Sequence, residues 1–302
     1  MRMRYYTCDV FTETRFGGNP LAVLPEANGL SDKQMQQIAR EFNLSETAFV
    51  FPPEAGQTRK VRIFTPGREI PFAGHPNVGT AFVLASMGEL GPIGETSSVT
   101  FEEQAGLVSV SIRKLGGNAI SCEVRAPASL SIGEVVAPPL VASALSLTAA
   151  DLIRDRHEPQ VVSVGLPFII TELKDRSTLE RARVNTSGFD SIMSTGVHPS
   201  IYFYTRSGKD GEIRARMFAP LSGVPEDPAT GSAGCAVAGL LAHLNERADG
   251  TFAYRIVQGV EMGRPSLLSA RAEKAGGAVQ ATWIGGSCIL VSEGFLVTGQ
   301  PA

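Results

Sequence analysis

Arg216-Met-Phe-Ala-Pro-Leu-Ser-Gly-Val-Pro-Glu-Asp-Pro-Ala-Thr-Gly-Ser-Ala-Gly234 decides how this chain is read, because a degenerate copy of it stands earlier. The copy is Arg62-Ile-Phe-Thr-Pro66, then a short spacer, then His75-Pro-Asn-Val-Gly-Thr-Ala81. Each version runs Arg, Ile or Met, Phe, Thr or Ala, Pro, a spacer, His or Asp, Pro, two residues, Gly, Thr or Ser, Ala. His75 and Asp227 are separated by about half of the 302 residues, which points to an internal duplication.

The bulk composition agrees with two ordinary globular halves. Hydrophobic residues make up 43% and charged residues 19%, so each half can bury its own core. A net charge of −3 provides no basic field for nucleic acid or for an anionic membrane, and a small molecule is the expected partner. The longest near-apolar run, Gly234 to Leu244, is well short of the roughly 20 residues of a membrane span. The opening Met1 to Tyr6 lacks an apolar leader, so a cytoplasmic location is expected. Cys8, Cys122, Cys235 and Cys288 are widely spaced without a Cys-x-x-Cys pair, so neither a zinc site nor a disulfide framework is indicated.

Along the chain, Tyr5 to Phe11 alternates as a strand, and Gly17 to Pro20 turns it into a second at Leu21 to Leu24. Ser31 and Gln34 have the spacing of a capping box ahead of a helix through Met35, Ile38, Ala39 and Phe42, ending near Asn43. Ala48 to Phe51 and Lys60 to Phe64 are strands, with Glu46 at the entrance of the first. Pro76 to Leu84 is apolar almost all round, a helix buried on most faces. Pro76 suits its first turn and places His75 at or near the N-cap. Further strands are expected at Ser98 to Phe101, Gly106 to Ile112 and Ala119 to Val124. The Pro- and Ala-rich stretch Pro127 to Pro139 marks the boundary between halves.

The second half opens with Gly165-Leu-Pro167, matching Gly18-Asn-Pro20, and continues to a strand at Ser200 to Tyr204. On that register Glu46 pairs with Pro199, so the acid belongs to one half only. Gly231 to Leu244 forms the second buried helix, and Tyr254 to Met262, Leu267 to Arg271, Gly277 to Ile284 and Cys288 to Thr298 are strands. The pattern predicts an α+β protein of sheets built twice around one central helix. The two helix N-termini can then face each other across a cleft, where a ligand would bind.

His75 and Asp227 each precede a buried helix, where orphan N–H groups and the positive end of the helix dipole gather. Capping alone would explain Asp227, whereas histidine is a poor cap. The amides of Gly231, Ser232 and Ala233 suit a substrate carboxylate. Glu46 is followed at once by apolar strand residues, and burial there would raise its pKa toward the range of proton transfer. Ser232, His75 and Asp227 carry the letters of a hydrolase triad, but no Gly-x-Ser-x-Gly elbow surrounds Ser232. Arg62 and Arg216 suit a structural ion pair in each half, and His198 and His243 read as ordinary surface or partly buried residues.

With these residues assembled, the chain resembles the phenazine-biosynthesis PhzF family of the diaminopimelate-epimerase-like superfamily. The motifs that carry the resemblance are Gly18-Asn-Pro20, Asn43-Leu-Ser-Glu46, Arg62 to Pro66, Pro71-Phe-Ala-Gly-His-Pro76, Arg216 to Pro220, Glu226 to Ala233 and Gln258-Gly-Val-Glu-Met-Gly-Arg-Pro-Ser266. The resemblance implies two pseudo-symmetric lobes, each a curved, mainly antiparallel sheet wrapped around a central helix. The first would hold residues 1–127 with a C-terminal strand near 290–302, and the second 128–289. It also implies a homodimer and an isomerase without cofactor or metal. The family's best understood reaction isomerises trans-2,3-dihydro-3-hydroxyanthranilate by proton transfer on one glutamate, which maps onto Glu46. Its active-site histidine and aspartate map onto His75 and Asp227, and its helix-end glycines and serine onto Gly74, Gly231 and Ser232, with Thr230 beside them as a further substrate-binding candidate. Epimerases of the superfamily use two cysteines, one before each helix, and neither Phe72 to Gly79 nor Glu226 to Ser232 contains one. The reading is therefore a proton-moving isomerase of a small carboxylate. The alternatives are a metabolite-binding protein of the same fold with little turnover and, disfavoured by the missing cysteines, an epimerase or racemase.

Overall fold

The structure, a computed structural model, describes residues 2–116, 119–206 and 212–299. The last three positions of the strand expected near 290–302 lie outside the described residues. The strands are β1 (Arg2–Val10), β2 (Asn19–Leu24), β3 (Glu46–Phe51), β4 (Arg59–Phe64), β5 (Glu69–Ile70), β6 (Thr96–Glu103), β7 (Gly106–Gly116), β8 (Ala119–Arg125) and β9 (Ser131–Val135). They continue as β10 (Leu152–Ile153), β11 (Gln160–Ser163), β12 (Pro167–Leu173), β13 (Ile201–Thr205), β14 (Ile213–Phe218), β15 (Gly250–Gln258), β16 (Ser266–Ala275) and β17 (Ala278–Val297). The helices are α1 (Asp32–Phe42), α2 (Gly74–Ser86), α3 (Pro138–Ala144), α4 (Arg176–Arg181), α5 (Thr186–Met193) and α6 (Gly231–His243). The chain divides into two compact units, one running to Arg125 and resuming at Gly285, the other from Ala126 to Ile284.

In the first unit the strands close on themselves. β1 pairs antiparallel with β2, β2 parallel with β3, β3 antiparallel with β4 and β4 parallel with β6. β6, β7 and β8 then pair antiparallel, β8 pairs with β17, and β17 returns antiparallel to β1. Such closure leaves few strand edges unpaired. The ring encloses α2, whose residues from Gly74 to Leu84 are all buried. A helix in that position needs apolar residues on every face, which is why this stretch shows no helical polar stripe. Gly79 is required there, because a Cβ would stand 2.5 Å from Leu21 Cδ2 and 2.8 Å from Val10 Cγ2. Outside the ring, α1 begins with the Ser31 and Gln34 capping box and ends at Asn43, left-handed at φ 51°. Its Met35, Ile38 and Ala39 pack with Leu24, Phe49 and Phe64.

The second unit repeats this wiring. β11 and β12 are antiparallel, β12 and β13 parallel, β13 and β14 antiparallel, β14 and β15 parallel, and β15 and β16 antiparallel. β9 lies antiparallel to β11, as β17 lies to β1. The helix α6 takes the place of α2, buried throughout except at Ser232 and His243. Helices α3, α4 and α5 cover the other face, where Leu145, Leu179, Phe189 and Ile192 meet Ile169, Phe203 and Phe218.

Four sequence readings are corrected. Gly277 to Thr298 is not two strands: β17 runs unbroken, its first part within the second unit and its remainder within the first. Val260 to Met262 does not extend β15 but forms a 3₁₀ turn between Gly259 and Gly263, both at positive φ. Ser131 to Val135, within the stretch taken as a boundary, is a strand because β11 pairs with it. Finally, Phe49 opposes Arg62 as Phe203 opposes Arg216, so the counterpart of Glu46 is Ser200, not Pro199. Ser200 is no acid, so the asymmetry between the halves stands.

Candidate active site

Glu46 is the first residue of β3, set opposite Leu21 of β2 by parallel pairing. The adjoining residues Thr47 to Val50 are fully buried, so the strand delivers the Glu46 carboxyl to the border of the core while keeping its stem packed. The side chain retains 17% of its exposure, and its Oε2 lies 3.5 Å from His75 Nε2. His75 is the second residue of α2 rather than its N-cap, which is Ala73, a residue with no side chain to cap with. The imidazole is buried, and burial pushes its pKa down to about 3. The positive end of the helix dipole acts in the same direction. Glu46 therefore stands beside a neutral imidazole, a partner able to exchange a hydrogen bond without fixing the carboxylate in a full ion pair. Gly74 is the first residue of α2 and is buried there.

The second unit holds the other predicted residues. Asp227 is not an N-cap either: α6 starts at Gly231, and Thr230 occupies the cap position. Threonine normally turns its hydroxyl to the first amides of the helix. Here the hydroxyl donates to Asp227 Oδ2 at 2.5 Å and accepts from Gln258 Nε2 at 3.0 Å. No side chain of the cap serves the helix, and the amides of its first turn, at Gly231, Ser232 and Ala233, keep their capacity to bind an anion. Ser232 is the part-exposed residue of that turn, whereas Asp227, Thr230 and Gly231 are buried.

Gln258 is the residue that motif reading passed over as a role-bearing group. It is fully buried at the end of β15, donates to Asp227 O at 2.8 Å and accepts from Thr230 N at 3.2 Å. Ser266 Oγ donates to Pro228 O at 2.9 Å, and a Cβ on Gly259 would come within 2.5 Å of that same carbonyl. The Gln258 to Ser266 motif thus serves as the clamp on the Asp227 to Thr230 loop. A buried amide with donor and acceptor faces can hold a loop by its backbone on both sides, and a glutamine ending a strand beside Gly is the signal that marks it.

Both motif arginines are anchors. Arg216 forms paired bonds of 2.8 and 3.0 Å with Glu226, next to Asp227, and donates to Leu179 O and Ala182 O. Arg62 forms the same fork with Glu69, at 2.7 and 2.6 Å, and reaches Asp32. His198 and His243 are exposed. Among the described residues no three His, Cys, Asp or Glu side chains gather as a metal site would require, and no helix is long and apolar enough to cross a membrane. Among the described residues the cysteines form no disulfide, and Cys235, the one nearest α6's start, is buried inside that helix.

Residues 8–294 match the PhzC-PhzF family, described as phenazine biosynthesis-like protein. An uncharacterized isomerase of Mesorhizobium japonicum is 36% identical over 97% of this chain and 98% of its own. The trans-2,3-dihydro-3-hydroxyanthranilate isomerase of Pseudomonas aeruginosa is 34% identical over 96% of this chain and 98% of its own. Among solved structures, a PhzF-family phenazine biosynthesis protein of Bacillus anthracis superposes with a TM-score of 0.88 at 25% identity, covering 99% of this chain and all of that one. The architecture is the α+β, diaminopimelate-epimerase-like fold.

Proposed function

The chain belongs to the PhzC-PhzF family of phenazine biosynthesis-like proteins and is an isomerase, and on that footing we propose that Glu46 is its proton-transfer group. The observation that carries the reading is the Glu46 to His75 contact, a part-exposed carboxylate 3.5 Å from a buried imidazole held neutral. The carboxylate removes a proton from a carbon made acidic by a neighbouring unsaturated group, and returns it to another carbon of the same molecule. Substrate and product differ only in the position of a hydrogen and a double bond. No electrons are exchanged and no group is carried, so the step calls for no redox cofactor and no group carrier.

The neutral His75 supports this chemistry in a specific way. A protonated histidine beside Glu46 would stabilise the carboxylate and weaken it as a base. A neutral one leaves the basicity in place and can follow the proton through a hydrogen bond. The substrate class this chemistry calls for is a small carboxylate, and within the second unit the α6 N-terminus, where Gly231 and Ser232 supply amides beside the polar side chains of Asp227 and Thr230, suits an anion of that kind.

The test is solvent isotope exchange in D₂O with trans-2,3-dihydro-3-hydroxyanthranilate, the substrate of the Pseudomonas aeruginosa relative, followed by a panel of cyclic unsaturated amino and hydroxy acids. Deuterium should enter the substrate with the native enzyme and not with Glu46→Gln, while the variant still binds. Exchange at the native rate in Glu46→Gln removes Glu46 from the role.

A further inference from the structure

Glu103 closes β6 and is not part of any motif quoted above. Strand register fixes its counterpart in the other unit. Lys60 of β4 opposes Glu102, and Arg214 of β14 opposes Val257, with Lys60 and Arg214 each two residues before the matched arginines. Glu103 therefore corresponds to Gln258, the clamp of the Asp227 loop. Just beyond β6, Ala105 N donates to Pro71 O at 3.1 Å, so this strand end also touches the segment leading into α2.

Both Glu103 oxygens are buried and neither closes a hydrogen bond; the Asn77 amide beside the carboxyl favours the carboxylate, but burial, the larger effect, favours the neutral acid. Asn77 sits on the first turn of α2, two residues after His75. Its Nδ2 donates to Ala73 O at 3.0 Å, and its Oδ1 is buried without a partner. A carboxylate offers acceptors only, whereas the neutral acid adds the donor that Oδ1 lacks and has the donor and acceptor pair of a glutamine. The neighbouring charges are engaged elsewhere. Glu102, turned to the opposite face by strand alternation, accepts the amides of Glu54, Ala55 and Gln57, while Lys60 is paired with Glu54 and Arg59 with Glu89. From β7, Gly106 opposes Glu103 and brings no side chain. On α2 the titratable neighbour is His75, which is neutral.

We propose that Glu103 is a positioning residue for His75, standing as the neutral acid where the other unit uses Gln258, and holding the first turn of α2 through Asn77 in the arrangement that the Glu46 contact requires. The inference rests on the reading of Glu46 as the reacting base. Burial raises the Glu103 pKa to about 8, so its proton is lost to solvent at mildly alkaline pH and the clamp is lost with it.

The experiment follows the His75 ring by NMR from pH 6 to 9.5, without substrate, in the native protein and in Glu103→Gln. Native ring resonances should shift with a midpoint near 8, and those of Glu103→Gln should stay at the native low-pH position throughout. In parallel, exchange catalysed by the native enzyme should fall about tenfold from pH 7 to 9, the fraction of acid left one unit above such a midpoint, with no such fall in Glu103→Gln. A ring shift that persists in Glu103→Gln overturns the proposal. Direct ¹³C titration of the Glu103 carboxyl in the native protein decides the matter even if the variant does not fold: a midpoint near 4.5 overturns it, one near 8 supports it. Exchange surviving Glu46→Gln while the Glu103 transition is present overturns the Glu46 reading, and Glu46-dependent exchange with no Glu103 transition overturns this one.

Discussion

Replacing Glu103 by glutamine should stabilise the first unit, and by an amount that depends on pH in a prescribed way. In the unfolded chain Glu103 releases its proton near its ordinary value of 4.5, whereas burial in the folded unit holds the proton to about 8. Between those values the folded state binds more protons than the unfolded one, so stability falls as pH rises, at about 1.4 kcal/mol per pH unit. The gap between 4.5 and about 8 amounts to about 5 kcal/mol, a large part of the stability of an ordinary domain. Glutamine has no proton to lose and brings a donor that Asn77 Oδ1 can use. The advantage of Glu103→Gln should therefore be near zero at pH 4.5, grow steadily through pH 6 and 7, and level off above 8. Urea unfolding at half-unit pH intervals, with hydrogen exchange of the α2 amides reporting the first unit alone, measures it. A constant difference between variant and native protein across pH 5 to 8 refutes the reasoning, because no group with a raised pKa would then have been removed.

The anchors should differ in strength despite their matching place in the repeat. Arg216→Ala leaves Glu226 unpaired beside Asp227 and frees two buried carbonyls, costing about 3 to 5 kcal/mol, whereas Arg62, at 22% side-chain exposure, should cost about 1 kcal/mol; equal shifts in urea midpoint would contradict this. Gln258→Ala should cost about 1 to 3 kcal/mol and raise KM more than it lowers kcat, since it frees the Asp227 loop and leaves Glu46 alone; a loss in kcat with KM unchanged would oppose that division. His75 should contribute stability at and above pH 6.5 that is lost as pH falls toward about 3, because the unfolded chain takes up the proton first, and His75→Gln should flatten that acid limb in denaturation experiments. Protonation of the native ring near pH 6.5 by NMR would refute it.

The duplication was legible because its most repetitive residues are the ones that each unit needs for the same mechanical reason. Arg62 and Arg216 each fork onto a glutamate, Phe49 and Phe203 each lie opposite them, and the small and apolar residues of α2 and α6 fit helices buried on all sides. Glu46 and His75, candidates from sequence, do stand side by side, but the counterpart of Glu46 is one residue off the sequence register. Nothing between Pro199 and Ser200 marks register, which is fixed by pairing with β14. The 3₁₀ turn at Val260 was hidden by β-branched residues, although Gly259 and Gly263, the two positions requiring positive φ, bracketed it. Similarly, Gly285 and Gly286 looked like a break in β17, yet Gly285 allows close backbone approach, a Cβ there coming within 2.6 Å of Cys122 O.

Glu103 escaped for a different reason. Glu102 and Glu103 stand side by side just past the strand expected at Ser98 to Phe101, and no motif marks either, yet alternation must send one of them inward. Only the pairing of β6 with β4 shows which position of the other half it matches, because Glu and Gln are aligned through neighbouring strands and not through a shared motif. The three pairs of corresponding positions then differ consistently. Where the first unit has Glu46, His75 and Glu103, the second has Ser200, Asp227 and Gln258. Two of the first set titrate far from their ordinary values, whereas the second set includes the Asp227, Thr230 and Gln258 network of closed hydrogen bonds. Under the proposed reaction this is the distribution expected if one frame has been specialised for moving a proton and the other for holding still. A group that must change protonation needs neighbours that do not pin its charge, and a group that orients a substrate needs every bond made.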